Sequence, residues 1–357
     1  MNENKLEFPR RKTRQVRIGH VPVGGGAPVA VQSMIKTGTG NVKAVLQQLK
    51  RLEAAGCEIV RLAVPDQESA AAFTEIKKNT AIPLVADIHF DHRLALAAVS
   101  AGADGLRINP GNIGSRRKVR EVAAAAGDRG IPIRIGVNAG SLEKDLLQKH
   151  RHAGPEAMVE SALRHIRILE EMNFDMIKVS LKASDIHRTL AASRRLAEEV
   201  PHPFHAGITE AGGVLPGTAK SSAGLTLLLR EGLADTIRVS LTADPVDEVR
   251  AAYFILSALG IRQHGPVIIS CPVCGRCEVN LPAVAEEVEK RLIPVKKTIT
   301  VAVMGCMVNG PGEAREADIG VACGRGNGVI FSKGRIVRKV KEEAIVDELM
   351  EEVSKFA

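Results

Sequence analysis

The residues best suited to chemistry are thiols. Cys271-x-x-Cys274 follows an apolar β-branched run, VIIS, and Cys306 ends a second one, TITVAVMG. A tight C-x-x-C turn lets two thiolates converge on one centre, so the pattern has metal-site spacing. Three chemistries are open to it: a zinc ribbon, a redox dithiol, or an iron-sulfur cluster. A zinc knuckle needs a matching second pair or a histidine, yet Cys306 stands alone in MGCMVNGPGEA and Cys323 lies apart in VACGRGNG. A thioredoxin-type pair opens a helix within its own βαβ unit, whereas this one runs into Gly275-Arg276 and further thiols. The cluster therefore ranks ahead of zinc, and the dithiol last. Cys277 extends the run to C-x2-C-x2-C without the C-x3-C-P that follows in bacterial ferredoxins. It is either a ligand or, in the reading preferred here, a buried or helix-terminal thiol at the start of EVNLPAV. Cys323, and Cys57 in LKRLEAAGC, read as small apolar residues.

Composition narrows what such a site could serve. Apolar residues make up 45% of the 357 and aromatics only 3%, so Ala, Val, Ile and Leu must fill the core, as in parallel α/β sheets. Lys and Arg number 49 against 41 Asp and Glu, a net charge of +8. That excess suits nucleic acid, an anionic membrane surface or phosphorylated metabolites. There is no Trp, Tyr253 is the single Tyr, and no sustained basic tract is present, which disfavours nucleic acid and leaves small anions. No run approaches ~18 apolar residues, and MNENKLEFPRRKTRQ lacks an apolar signal core. A cytoplasmic protein with no membrane partner is expected, and in that reducing compartment clustered cysteines point to metal or redox chemistry.

The elements that must position these groups alternate β and α. PVAVQSM (28–34), EIVRLAVP (58–65), IPLVADIHF (82–90), DGLRINPGN (104–112), IPIRIGVNAG (131–140), DMIKVSLKAS (175–184), PFHAGITEAGG (203–213) and DTIRVSLTAD (235–244) are separated by Ala/Leu/Glu-rich helical stretches. Eight such strands predict a TIM (β/α)8 barrel. Neighbouring side chains on a strand face opposite ways. One parity is aliphatic: Val60, Leu62, Leu84, Ala86, Leu106, Ile108, Ile133, Ile135, Ile177, Val179, Phe204, Ala206, Ile237 and Val239. The other carries Arg61, Asp87, His89, Arg107, Asn109, Arg134, Asn138, Lys178, Ser180, Lys182, His205, Thr209, Arg238, Ser240 and Thr242. If the aliphatic set meets the helices, the cationic set points inward, where Arg and Lys near strand ends could hold a phosphate or diphosphate. The competing reading, paired structural charges lower in the barrel, fits single residues nearly as well but not the whole set.

After His264-Gly265-Pro266 the rhythm changes to a strand, a helix, further strands, a hairpin and a last helix, EEAIVDELMEEVSKF. The expected architecture is α/β: a barrel over 1–264, then a small α+β domain over 265–357 that holds the thiols.

MGCMVNGPGEA with the upstream SCPxCGR, together with VQSM, ADIHFD, LRINPGN, RIGVN, KVSLKAS and GITEAG, resembles the 4-hydroxy-3-methylbut-2-enyl diphosphate synthases of the methylerythritol phosphate route to isoprenoids. The resemblance covers essentially the whole chain. It implies a barrel followed by an iron-sulfur domain resembling a half of sulfite reductase. It further implies a 4Fe-4S cluster held by Cys271, Cys274, Cys306 and Glu313. Spacing alone would read Glu313 as a solvated residue of a Gly-rich turn. Its carboxylate, harder than a thiolate, would make one iron distinct and more readily exchanged. The implied reaction converts 2-C-methyl-D-erythritol 2,4-cyclodiphosphate to 4-hydroxy-3-methylbut-2-enyl diphosphate with two electrons and loss of water. On the same grounds Arg61, Arg107, Arg134 and Lys182 clamp the diphosphate, Asn138 and Ser240 add polar contacts, and Glu210 moves a proton. Asp87 and His89 join or shape the mouth. Flavodoxin or ferredoxin would supply electrons, and two chains would share each site as a homodimer. Two departures stand out: Cys277 where a non-thiol is usual after CGR, and Cys323 in place of a Gly-Gly turn. The alternatives are a zinc-stabilised binding protein, which would be colourless, and S-adenosylmethionine radical chemistry, whose C-x3-C-x2-C spacing is absent.

Overall fold

The computed structural model describes residues 8–307, 312 and 315–356. Its contacts divide the chain between Arg262 and Gln263. In the first unit a short hairpin, β1 (Val16–Ile18) and β2 (Val21–Val23), precedes eight parallel strands: β3 (Ala30–Met34), β4 (Ile59–Ala63), β5 (Leu84–Asp87), β6 (Gly105–Ile108), β7 (Ile133–Asn138), β8 (Ile177–Lys182), β9 (His205–Ala206) and β10 (Thr236–Ile237). They pair in the order β8-β7-β6-β5-β4-β3-β10-β9. A parallel bridge between Val179 and Phe204 brings β8 back beside β9 and completes the ring. Each strand falls inside a run expected from sequence, although β9 and β10 shrink to two residues each. The hairpin was not foreseen. Its Val16, Ile18, Val21 and Val23 pack on Ala30, Ile59 and Val85 and plug the barrel floor.

The helices are α1 (Val42–Ala54), α2 (Gln67–Lys78), α3 (His92–Ser100), the short α4 (Pro110–Ile113), α5 (Arg116–Asp128), α6 (Lys144–His150), α7 (Pro155–Glu170), α8 (Ile186–Glu199), α9 (Val214–Arg230) and α10 (Pro245–Ala258). Several start where an Asx side chain accepts a backbone N–H and replaces a missing helical bond: Asn41 for Ala44, Asp66 for Ser69, Asp185 for Arg188 and Asp244 for Val246. Their apolar faces meet the aliphatic parity of the strands, and all fourteen of those strand residues lie in one buried core with helix residues such as Leu49, Phe73 and Leu196. Helix-facing packing therefore turns the other parity inward.

The second unit is a five-stranded sheet in the order β11 (Val267–Ser270), β12 (Thr300–Met304), β13 (Ile319–Gly324), β14 (Asn327–Ser332) and β15 (Arg335–Lys341). The first three strands are parallel and the last two antiparallel. Helices α11 (Leu281–Leu292) and α12 (Ile345–Ser354) contribute Leu281, Val288, Ile345 and Leu349 to a core with Val301, Val303, Val321 and Ile330. Among the described residues no helix is long and apolar enough to cross a membrane.

Candidate functional site

The inward parity builds a charged interior that is largely buried. Arg107, Arg134, Lys178, Lys182, His205 and Asp87 are buried, and Arg61 and Arg238 are nearly so. Asp87, last in β5, meets two of the cations, Arg61 Nε at 3.5 Å and Arg107 Nη1 at 3.3 Å, with His89 at 3.7 Å. Arg107 also donates to the Gly136 carbonyl at 3.0 Å, and Arg134 to Ser180 Oγ at 2.5 Å. Lys182 ends β8 beside Gly207, where a Cβ would lie 2.8 Å from Nζ and 2.5 Å from the Arg238 carbonyl; only glycine leaves that room. Asn138 ends β7, and Ser240 lies just beyond β10. The structure thus brings Arg61, Asp87, His89, Arg107, Arg134, Asn138, Lys182 and Ser240 to the barrel interior and mouth. Arg134, second residue of β7, is in register with Arg107 and four residues below Asn138, and its side chain reaches Ser180, which pairs with Gly136.

Sequence reasoning missed the acid on the opposite wall. Glu248 of α10, buried, accepts from Ser33 Oγ at 3.1 Å and the Leu241 N–H at 3.0 Å, and pairs with Lys36 at 3.0 Å and Arg238 at 3.6 Å. Its only signal was a carboxylate on the apolar face of an amphipathic helix.

Six interior cations, Arg61, Arg107, Arg134, Lys178, Lys182 and Arg238, face three buried carboxylates, Asp87, Glu248 and Asp235, of which Glu248 is shared with Lys36 and Asp235 with Arg10. Arg134 Nε and Nη2, Arg107 Nε, Arg238 Nε and His205 Nε2 are buried without a hydrogen-bond partner. Buried cations without counter-charge are unfavourable, so such an interior is built to receive an anion. The titration behaviour agrees. Burial, followed by repulsion from neighbouring guanidinium groups, holds Lys182 and Arg134 well below their ordinary values, and burial takes Arg61 down to about 10. Burial opposes ionisation of Asp87, but His89, Arg61, Arg107 and Arg134 overcome it and hold the carboxyl well below the usual range.

A pH dependence follows. Below the depressed lysine values both folded and unfolded chains are protonated and the repulsion is present in full. As pH climbs towards the ordinary lysine value the folded chain loses protons first, and the repulsion is relieved. A bound dianion opposes that loss. Sulfate, whose charge is constant over this range, is therefore expected to raise the melting temperature most below the depressed lysine values and progressively less as pH rises through them. Thermal denaturation of wild type and Lys182→Met with and without sulfate measures this; an equal shift at all pH values in wild type would contradict it.

An open cleft of about 710 Å³ lies elsewhere, on the outer wall between α7 and α8. Arg116 pairs there with Glu171, Arg164 with Asp145 and Arg195 with Glu156, and five glutamates line the cleft, so it presents no comparable demand for an anion.

Glu210 follows β9 on the mouth side of the barrel, exposed, with a left-handed backbone at φ 53°. A side chain held in that region stores strain, which is tolerated mostly where geometry matters for function. Phe90 and Leu215, in the segments after β5 and β9, are 72% and 82% exposed at the same rim.

In the second unit the thiols gather at one end of the sheet. Cys271 directly follows β11 and Gly305-Cys306 directly follow the parallel neighbour β12, with Ser270 opposite Val303. The Gly305 N–H donates to Cys271 Sγ at 3.2 Å, and the Cys277 N–H closes a turn onto the Cys274 carbonyl at 2.9 Å. Cys274 is exposed; Cys271 and Cys306 are half-buried. Thiols presented at strand ends, one already receiving a backbone N–H, suit a multi-iron cluster, whose sulfur ligands take such bonds. Among the described residues no three His, Cys, Asp or Glu side chains converge tightly enough for a single metal ion, as zinc with sulfur at about 2.3 Å would require. Glu313 lies outside the described residues.

The remaining thiols have other partners. Cys277 is half-buried, with Sγ 3.3 Å from the Val279 carbonyl. Cys323 is not in a turn, as the resemblance suggested. It is a β13 residue paired with Gly328, its side chain in the core with Val303 and Val321, because the turn comes two residues later at Arg325-Gly326. Burial, with Cys277 and Cys271 nearby, pushes its thiol up to about 12. Cys57 is buried in the barrel core.

Residues 13–253 match the GcpE TIM-barrel domain and residues 267–355 the GcpE protein C-terminal domain. A protein of Geobacter sulfurreducens named 4-hydroxy-3-methylbut-2-en-1-yl diphosphate synthase (flavodoxin) is 61% identical over 347 residues, 97% of this chain and 98% of that one. Proteins of the same name from Thermodesulfovibrio yellowstonii and Clostridium acetobutylicum are 59% and 55% identical, over 97% and 96% of this chain and 99% of each relative. With a cationic barrel, a thiol-bearing second unit and both domains of the family matched in order, the chain belongs to the GcpE family.

Proposed function

We propose that the chain opens and reductively dehydrates 2-C-methyl-D-erythritol 2,4-cyclodiphosphate for isoprenoid synthesis, yielding 4-hydroxy-3-methylbut-2-enyl diphosphate, the product that the names of its relatives carry. Counted on the neutral acids, two electrons and two protons remove one oxygen as water. The observation that carries the reading is the barrel interior, whose uncompensated buried cations call for a compact polyanion. Arg61, Arg107, Arg134 and Lys182 bind the diphosphate, and Asn138 and Ser240 orient it. Asp87 holds Arg61 and Arg107 in place, and His89 closes the side of the mouth. Burial of these side chains strengthens each of these contacts. Glu210 delivers a proton from the rim.

Cys271, Cys274, Cys306 and Glu313 hold a 4Fe-4S cluster. When bound, the cluster supplies single electrons and a Lewis-acidic iron. The electrons come from flavodoxin, which the relatives' names carry, or from ferredoxin. Two copies act together, the thiol-bearing domain of one closing over the barrel mouth of the other; the exposed Phe90 and Leu215 at the rim support this.

Anaerobic spectroscopy of the reduced protein tests substrate and cofactor together. A substrate-dependent change confined to one iron is expected; an unchanged spectrum at saturating cyclodiphosphate would sink the reading. Mixing inactive Glu210→Gln and Cys271→Ser chains tests the shared site, because hybrid dimers should regain activity. No recovery after subunit exchange would place both halves of the site in one chain.

A further inference from the structure

We propose that His165, in the outer helical layer, is a positioning residue for the substrate cation Arg107; the inference rests on the function proposed above. His165 sits on α7 and is 1% exposed. Its Nδ1 accepts the backbone N–H of Gly111 at 3.0 Å. That leaves the ring proton to Nε2, which lies 3.0 Å from Glu143 Oε1, in close polar contact although not aligned as a hydrogen bond. Gly111 belongs to α4, just after β6, and Glu143 follows the end of β7 by five residues. One imidazole thus ties together the two loops that leave adjacent barrel strands on the mouth side. The approach is tight: a Cβ on Gly111 would lie 2.7 Å from the ring Cε1.

The tie leads inward through bonded neighbours. Two residues before Gly111, the Asn109 side-chain oxygen accepts the Gly136 N–H of β7 at 2.9 Å. The Gly136 carbonyl in turn accepts Arg107 Nη2 at 3.0 Å, and Arg107 Nη1 reaches Asp87 at 3.3 Å. The turn held by His165 therefore sets where Asn109 grips β7, and that grip sets the carbonyl that aims the Arg107 guanidinium. A bidentate cation misplaced by a fraction of an ångström loses much of its hold on phosphate oxygens. An ordinary packed histidine would stabilise the barrel equally with or without ligand. A positioning one acts on the ligand, and the two are separable.

The test compares His165→Leu with His165→Gln in cluster-loaded enzyme turning over the cyclodiphosphate with reduced methyl viologen. Gln keeps one acceptor for Gly111 and one donor for Glu143; Leu keeps neither. Leu is expected to raise KM about 10- to 100-fold with a much smaller change in kcat, and Gln to restore most of it. A second readout needs neither cluster nor turnover: the sulfate concentration giving half-maximal thermal stabilisation should rise in Leu and return in Gln. If Leu lowers the melting temperature but leaves KM and the sulfate midpoint unchanged, His165 is only structural and the proposal fails. Should the Leu variant not fold, Gly111→Ala displaces the ring through the same contact and is expected to move KM and the sulfate midpoint in the same direction; unchanged values there overturn the proposal equally. A wild type that ignores the cyclodiphosphate would remove the proposed function, while the sulfate readout would still decide the role of His165.

Discussion

Cys271→Ser, Cys274→Ser and Cys306→Ser are each expected to yield protein that, purified without oxygen, lacks the broad absorption near roughly 400 nm of an iron-sulfur cluster, with turnover reduced by far more than about 100-fold. The comparison that gives this result meaning is Cys277→Ser and Cys323→Ser, which should remain brown and active. All five residues are cysteines of one small domain, so composition cannot separate them; their place in the sheet does. Cys271 and Cys306 come straight off the ends of adjacent parallel strands, and Cys274 is carried by the turn between Cys271 and Cys277. Cys323 is held in β13 by its pairing with Gly328, and its thiol is packed in the core with Val303 and Val321 instead of being presented at a strand end. Iron and sulfide content alongside the spectra settles the matter. Loss of the cluster in either Cys277→Ser or Cys323→Ser would restore an all-thiolate ligand set and remove Glu313 from it.

Glu210→Gln is expected to lower kcat by about 10²- to 10⁴-fold, the usual contribution of a placed acid or base, while binding of the cyclodiphosphate stays largely intact. The amide keeps size and polarity but has no proton to give. Equal activity would exclude an acid role. A companion variant, Glu210→Gly, separates function from fold. The left-handed backbone at φ 53° costs a non-glycine residue about 1 kcal/mol or more, which glycine relieves. Glu210→Gly should therefore be inactive with a melting temperature equal to or above that of wild type. A marked drop in stability would mean that the side chain holds the loop together and has no separate chemical task.

Much of the architecture was legible because parallel sheets impose a simple alternation. Ile133, Ile135, Ile177 and Val179 had to meet helices, which left Arg134 and Lys178 no direction but inward, and both are buried there. The floor hairpin escaped notice because Val16–Val23 is short and offers only a weak period of two. Glu248 and His165 escaped for another reason. Each is a lone polar residue within an amphipathic helix, and its importance comes from partners more than fifty residues away in sequence, Ser33 for Glu248 and Gly111 for His165. Cys323 is the small apolar core residue its surroundings suggested, but the Gly-Gly turn that the resemblance put there comes later, because cross-strand pairing extends β13 to Gly324.

The imbalance of charge inside the barrel has a further consequence. A fold strained by its own cations is most easily opened when no anion is present, and proteases in the cell act on opened chains. An anionic metabolite bound there, as proposed, would thus also protect the barrel. Cells in which the pathway upstream stalls would hold less of this protein at the same rate of synthesis, and restoring the supply would lengthen the protein's lifetime before any change in its gene's expression.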